Sequence, residues 1–224
     1  ALGFWAGIPW ALKMPLGHLV DLIWRHKAGL VYLGACLTAA SLLIMVGLLA
    51  DPDTMRGFMP VEAWFVLSTL LAPVGFVVQD VVADAMTVEA VPLLDQHGHP
   101  FPAGTKRLMH TTMQTLGRVA IIGGTVFVAL LNVFMFAGVD ALDEQAKLEI
   151  YIRIYEIALV IPVVSVAGVL LSGILKRREL RRLLGHGIDA VKAGDMVHGQ
   201  VERTSPNWWI LGGSLVFVVF TLSM

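Results

Sequence analysis

Lys13, Asp80, Asp84 and Arg118 are ionisable side chains inside apolar stretches long enough to cross a bilayer. An Asp, Lys or Arg at mid-depth in hydrocarbon carries a penalty of about 2.5–3.5 kcal/mol on insertion scales. Residues kept at that penalty mark a polar interior with a use. Two are acids and two are bases, so they can neutralise one another. Asp80 and Asp84 stand at i, i+4, so one helical face presents both. Two carboxylates one turn apart repel, and a low dielectric disfavours their charge, whereas a nearby cation favours it. If such a cation withdraws in one conformation, a carboxylate can take a proton, which links protonation to the conformational equilibrium. The pattern predicts a cluster in which Lys13 and Arg118 face Asp80 and Asp84. That cluster suits a solute or ion pathway, a static lock between helices, or both. Gln79, beside the pair, is placed to hydrogen-bond a polar solute or a main-chain carbonyl.

The elements that must position these groups are transmembrane helices. The chain has 224 residues, 57% of them hydrophobic and only 15% charged; a soluble domain carries roughly 45–50% apolar and about 25% charged residues. A spanning helix needs about 20 mostly apolar residues, and the sequence offers six such runs, at 1–20, 28–50, 61–91, 108–137, 150–175 and 207–224. None alternates with period two and all are far longer than barrel strands, so helices rather than strands are expected, in an all-α polytopic bundle. By the helical rise, all four charges fall roughly 10–17 Å inside one boundary, and they come from three different runs.

Loop charges orient the bundle. Arg25 and Lys27 follow the first run, Lys106 and Arg107 the third, and Lys176, Arg177, Arg178, Arg181, Arg182, Lys192 and Arg203 the fifth. The alternate loops carry only Arg56 and Lys147, beside Asp51, Asp53, Asp140, Asp143 and Glu144. The positive-inside rule places loops 21–27, 92–107 and 176–206 in the cytoplasm, and the membrane expected is a bacterial inner membrane. The basic start of 176–206 suits a helix along the inner headgroups. Pro9, Pro15, Pro73 and Pro162 interrupt the runs as kinks, and Gly123-Gly124 suits close helix contact. Cys36 reads as a small core residue and excludes an intrachain disulfide. Arg153 and Glu156, at i, i+3, suit a local ion pair. His97 and His99 are too few for a metal site, and no basic-aromatic pattern points to nucleic acid. No basic leader precedes the first apolar residues, and both ends fall within apolar runs, as in a fragment of a longer protein.

Gly17-His18-Leu19-Val20-Asp21, followed by Arg25 and Lys27, resembles the signature loop between the second and third helices of major facilitator transporters. Leu22, Trp24 and His26 depart from that pattern. Pro9-Trp10-Ala11-Leu12-Lys13-Met14-Pro15-Leu16-Gly17 resembles the second helix of the folate-biopterin branch. Gln79-Asp80, continuing through Asp84 to Glu89, is similar to the fourth helix of that branch and of the muropeptide permease and acetyl-coenzyme A transporter branch. The resemblance implies that the six runs are helices two to seven of a twelve-helix fold. Residues 1–175 would form the N-terminal half without its first helix, 176–206 the central cytoplasmic loop, and 207–224 the start of the second half. It also implies alternating access around a central site, with Gly17, Asp21, Arg25 and Lys27 in the cytoplasmic latch. The function expected is secondary transport of a polar or anionic organic solute with protons, without enzymatic activity, cofactor, metal or obligatory oligomer. Lys13 and Arg118 would contact an anion or balance charge, and Asp80 and Asp84 would couple protons. Two other functions fit part of the pattern. One is a non-transporting assembly protein that delivers pigment. The other is an intramembrane prenyltransferase using Asp80-x-x-x-Asp84 for magnesium, which would need a second acidic motif.

Overall fold

The computed structural model describes residues 2–23, 27–89, 91, 99–139, 142–198 and 206–223. Every element among them is a helix: α1 (Leu2–Ala11), α2 (Lys13–Leu22), α3 (Lys27–Ala50), α4 (Pro52–Arg56), α5 (Val61–Glu89), α6 (Ala103–Met135), α7 (Glu144–Ala158), α8 (Val160–Gly185), α9 (Ala190–His198) and α10 (Trp208–Ser223). Four stretches are long and apolar enough to cross a membrane: Lys27–Ala50, Val61–Val88, Ala103–Met135 and Glu144–Gly185. Trp208–Thr221 is apolar but shorter. The chain is therefore an all-α, membrane-embedded protein.

Prolines explain where two apolar runs break. The first run is not one helix but two, interrupted at Leu12, and the fifth is interrupted at Leu159. Each break lies three residues before a proline, Pro15 or Pro162. A proline in a helix has no amide for the carbonyl four residues back, and its ring crowds that carbonyl. Those carbonyls belong to Ala11 and Ala158, the last residues of α1 and α7. The chain tightens there instead. The amide of Leu12 donates to the Pro9 carbonyl (3.1 Å), and that of Leu159 is shared between Tyr155 and Glu156 (3.2 Å each). Pro73, by contrast, lies inside an unbroken α5.

The scaffold for the site is an antiparallel pair, α3 and α5, pressed together along small residues. A methyl group at Gly34 would lie 2.7 Å from Gln79 Cγ and from the Gly75 carbonyl oxygen. One at Gly75 would lie 2.6 Å from Thr38 Oγ1 and 2.7 Å from the Gly34 carbonyl oxygen. Only glycine permits this approach. One heptad along, Ser41 and Ser68 exchange bonds. Ser41 Oγ donates to the Ser68 carbonyl (2.8 Å) and Ser68 Oγ to the Ser41 carbonyl (2.9 Å). Helices in lipid associate through such small-residue packing and interhelical hydrogen bonds, since apolar area alone gives no preference over acyl chains. The turn between α3 and α5 is closed by α4. Asp51 caps it by accepting from the Thr54 amide (3.1 Å), and Trp64 Nε1 donates back to the Met55 carbonyl (3.1 Å).

The helix α2 packs on this pair through a valine core of Val20, Val31, Val77, Val81 and Val82, flanked by Leu16, Leu30, Ala85, Met86 and Val169. α7 and α8 lie against α3, and α10 lies against α2 and α1. Buried His18 joins α2 to α10 by accepting the Asn207 amide at Nε2 (3.0 Å). Asn207 in turn caps α10, its side-chain oxygen accepting from the Trp209 amide (3.1 Å).

Several local expectations are corrected. The basic stretch from Lys176 is not a separate surface helix but the continuation of α8 to Gly185. It ends in a Schellman motif, with the Ile188 amide reaching the Leu183 carbonyl (3.2 Å) and Gly187 left-handed at φ +77°. Cys36 is exposed rather than in the core. Gly123 and Gly124 have nothing within 4 Å of where a methyl would stand, so no helix meets them closely among the described residues. Among the described residues Arg153 and Glu156 form no ion pair; Lys147 pairs with Glu144 (3.0 Å) at the start of α7 instead.

Candidate functional site

The site is built where α2 crosses α5. The break at Leu12 makes Lys13 the first residue of α2, and the unbroken α5 carries Asp80 and Asp84 one turn apart. Lys13 Nζ lies 2.6 Å from Asp80 Oδ2 and 2.9 Å from Asp84 Oδ2. One ammonium thus bridges two carboxylates that would otherwise repel. The two acids differ in surroundings. The Asp80 side chain is 21% exposed and that of Asp84 67%, so Asp80 is the sheltered member and Asp84 the open one.

The bridge forms one wall of a shallow cleft of about 280 Å³ lined by Lys13, Gly17, Asp21, Val81, Asp84, Ala85 and Val88. Lys13, Gly17 and Asp21 recur every fourth residue, so α2 turns all three toward α5. A methyl group at Gly17 would stand 4.0 Å from Val81 Cγ1, an ordinary contact, so the crossing does not demand glycine there. Asp21 is exposed at the cleft's end. The cleft lining therefore sets one cation, Lys13, against the carboxylates of Asp21 and Asp84, while Asp80 bonds the same ammonium from outside the lining. Behind it lies the valine core.

The remaining predicted residues are placed as follows. Gln79 is on α5 but turned into the α3 seam, with its Cγ against Gly34 rather than in the ion bridge. Lys27 opens α3, and Arg25 lies outside the described residues. Arg118 does not join the cluster. It is exposed on α6, and among the described residues no ion pair or hydrogen bond reaches it. Trp10 is half exposed and its ring meets Phe76 at 5.6 Å between centroids. His97 lies outside the described residues, and no group of three or more His, Cys, Asp or Glu side chains that could hold a metal occurs among them.

Sequence reasoning missed the glycine and serine seam and the link from His18 to Asn207. The seam had a signal, because Gly34, Thr38 and Ser41 on one run and Ser68 and Gly75 on another recur at helical spacing. The histidine had none, because its partner is a backbone amide 189 residues away.

The chain matches no protein-family model, no curated protein and no solved structure.

Proposed function

We propose that the chain is part of a secondary active transporter of the major facilitator type, moving a polar or anionic organic solute by alternating access with proton coupling. The observation that carries this reading is the Lys13 bridge to Asp80 and Asp84, which ties α2 to the membrane-length helix α5 through charge beside an open cleft. A bridge of this kind is a reversible latch. If Asp84 or Asp80 takes a proton, Lys13 loses one anchor and α2 can separate from α5, which links proton uptake to helix movement. In this reading α1 with α2, α3, α5, α6, α7 with α8, and α10 are helices two to seven of the twelve-helix fold. Loops 21–27, 92–107 and 176–206 then lie on the cytoplasmic side of a bacterial inner membrane.

Uptake into cells or vesicles by the wild type, Asp80→Asn and Asp84→Asn, compared across external pH, tests the coupling. Candidate solutes come from a thermal-shift screen of folates, pterins, peptidoglycan fragments and acyl-coenzyme A compounds. Flattened pH dependence in the variants is expected; unchanged dependence in both would sink the proposal.

The exposed length of α6, 33 residues with none buried, favours a second reading as an assembly protein that docks another membrane subunit and delivers pigment. Bound pigment or an antenna subunit on purification would favour it. The prenyltransferase reading draws no such support. Lys13 occupies the position between Asp80 and Asp84 that a cation would need, and a magnesium-dependent transferase assay is expected to be negative.

A further inference from the structure

The helix α6 is apolar enough to cross a membrane, yet one line along it is polar. Arg107, Thr111, Gln114, Arg118, Thr125 and Asn132 follow one another at intervals of four, three, four, seven and seven residues. At 3.6 residues per turn these positions share one face. Three of them satisfy their own donors within the helix. Thr111 Oγ1 donates to the Arg107 carbonyl (2.9 Å), Thr125 Oγ1 to the Ile121 carbonyl (2.9 Å) and Asn132 Nδ2 to the Val128 carbonyl (3.0 Å). Arg118 has no such recourse. Its guanidinium carries five N–H groups, stands at the middle of the 33-residue helix, and is exposed without a partner among the described residues. No carboxylate occurs anywhere in Ala103–Met135, whose charges are Lys106, Arg107 and Arg118.

The charge of Lys13 is already engaged. An incoming anion would have to displace Asp80 and Asp84 from its ammonium at 2.6 and 2.9 Å, and the cleft around it is lined by further carboxylate. Among the described residues Arg118 faces no such competition. We infer that the polar line of α6 borders the aqueous solute pathway and that Arg118 is the contact for the solute's anionic group, a carboxylate or phosphate. This inference rests on the transporter reading above and assigns Lys13 to the latch rather than to the solute. A guanidinium suits the role because its planar fork pairs with either oxyanion through two parallel hydrogen bonds.

Cysteine labelling tests it without knowing the solute. Cys36, the only cysteine, is replaced by Ala. Single cysteines are then placed at Thr111, Gln114 and Thr125 on the line, and at Ala120 and Phe127 on the opposite face. The full chain in neutral phosphatidylcholine nanodiscs is treated with sulfonatoethyl or trimethylammonioethyl methanethiosulfonate, and each rate is divided by that of a free thiol. The positions on the line should react, with the anionic reagent favoured about tenfold by the local positive potential. Arg118→Gln should remove most of that preference, and Ala120 and Phe127 should stay unreactive. If neither reagent reaches the line at any of the three positions, α6 presents it to lipid or a protein partner and the inference fails, while the Lys13 latch is untouched. If the line reacts with the cationic reagent equally or faster, the pathway survives but the anion assignment is overturned. Loss of one cysteine variant to misfolding leaves two others to decide.

Discussion

The wall made by α2, α3 and α5 and the single helix α6 treat the same problem, polar groups among apolar helices, in opposite ways. Where α2 crosses α5 in the wall, the charges answer one another. Lys13 lies between two carboxylates, and Ser41 and Ser68 satisfy each other across a seam that glycines allow to close. On α6 the threonines turn their donors back onto the helix, and Arg118 is left open. The wall resembles a finished interface and α6 one side of an interface whose other side is a solute, water or another helix. The proposed transport would need both, a part that holds its shape and a surface that meets a changing occupant.

The strongest way to break this contrast is to place the same substitution in both regions. Leucine at Gly75 must occupy space held by Thr38 Oγ1 and the Gly34 carbonyl, both under 3.0 Å from its first carbon. Backbone cannot yield there as a side chain can, so Gly75→Leu is expected to destabilise the fold by about 3 kcal/mol. Leucine at Gly124 meets nothing within 4 Å and should change stability by no more than about 0.5 kcal/mol. Thermal unfolding in detergent measures both. Equal losses would mean that α6 is packed as closely as the wall.

The charges allow a second, smaller test. Lys13→Met leaves Asp80 and Asp84 facing each other one turn apart. Lys13 and Asp84 are substantially exposed, so the loss falls below that of a fully buried pair, at about 2 kcal/mol. Adding Asp84→Asn should restore part of it, because the repulsion goes with the charge. Arg118→Met removes no described contact and should leave stability within about 0.5 kcal/mol. A large loss from Arg118→Met would place an acidic partner against α6.

How far the site could be read from the sequence follows the same division. The i, i+4 carboxylates and the cation on a separate run were visible because helical periodicity and membrane depth are one-dimensional properties. Which cation would reach them was not. Lys13 and Arg118 have the same sign and comparable depth, and only packing distinguishes α2, which the valine core holds against α5, from α6, which has no buried residue. Gln79 shows the same limit. It neighbours Asp80 in sequence, but successive helical positions are about 100° apart, enough to turn it into the seam with Gly34. The break at Leu12 was readable in principle, since Pro15 names the carbonyl of Ala11 as the one without a donor. Its parallel at Leu159 and Pro162 supports the rule, and the unbroken passage of α1 through Pro9 and of α5 through Pro73 shows that a proline does not always break the helix.

The smallest predicted effect lies at the helix starts. Asp51 accepts hydrogen bonds from the Thr54 hydroxyl and amide at the turn between α3 and α5. These bonds, the hydroxyl's first, hold its carboxyl below its ordinary value of 3.8. A carboxyl held low by the folded state contributes stability that is fully present above the unfolded value and is lost as pH falls through the folded one. Protection of the Thr54 amide against hydrogen exchange should therefore be constant at neutral pH and fall only below the ordinary aspartate range. Asp51→Asn keeps a capping oxygen without the charge, so it should retain protection and lose the pH step. At α6 the capping residue is Pro102, which offers no side-chain acceptor, and the amides of Gly104 and Thr105 should exchange without such a step. A matching acid-dependent step at the start of α6 would mean that a carboxylate from elsewhere caps it, and α6 would then be tied at its end as the wall is.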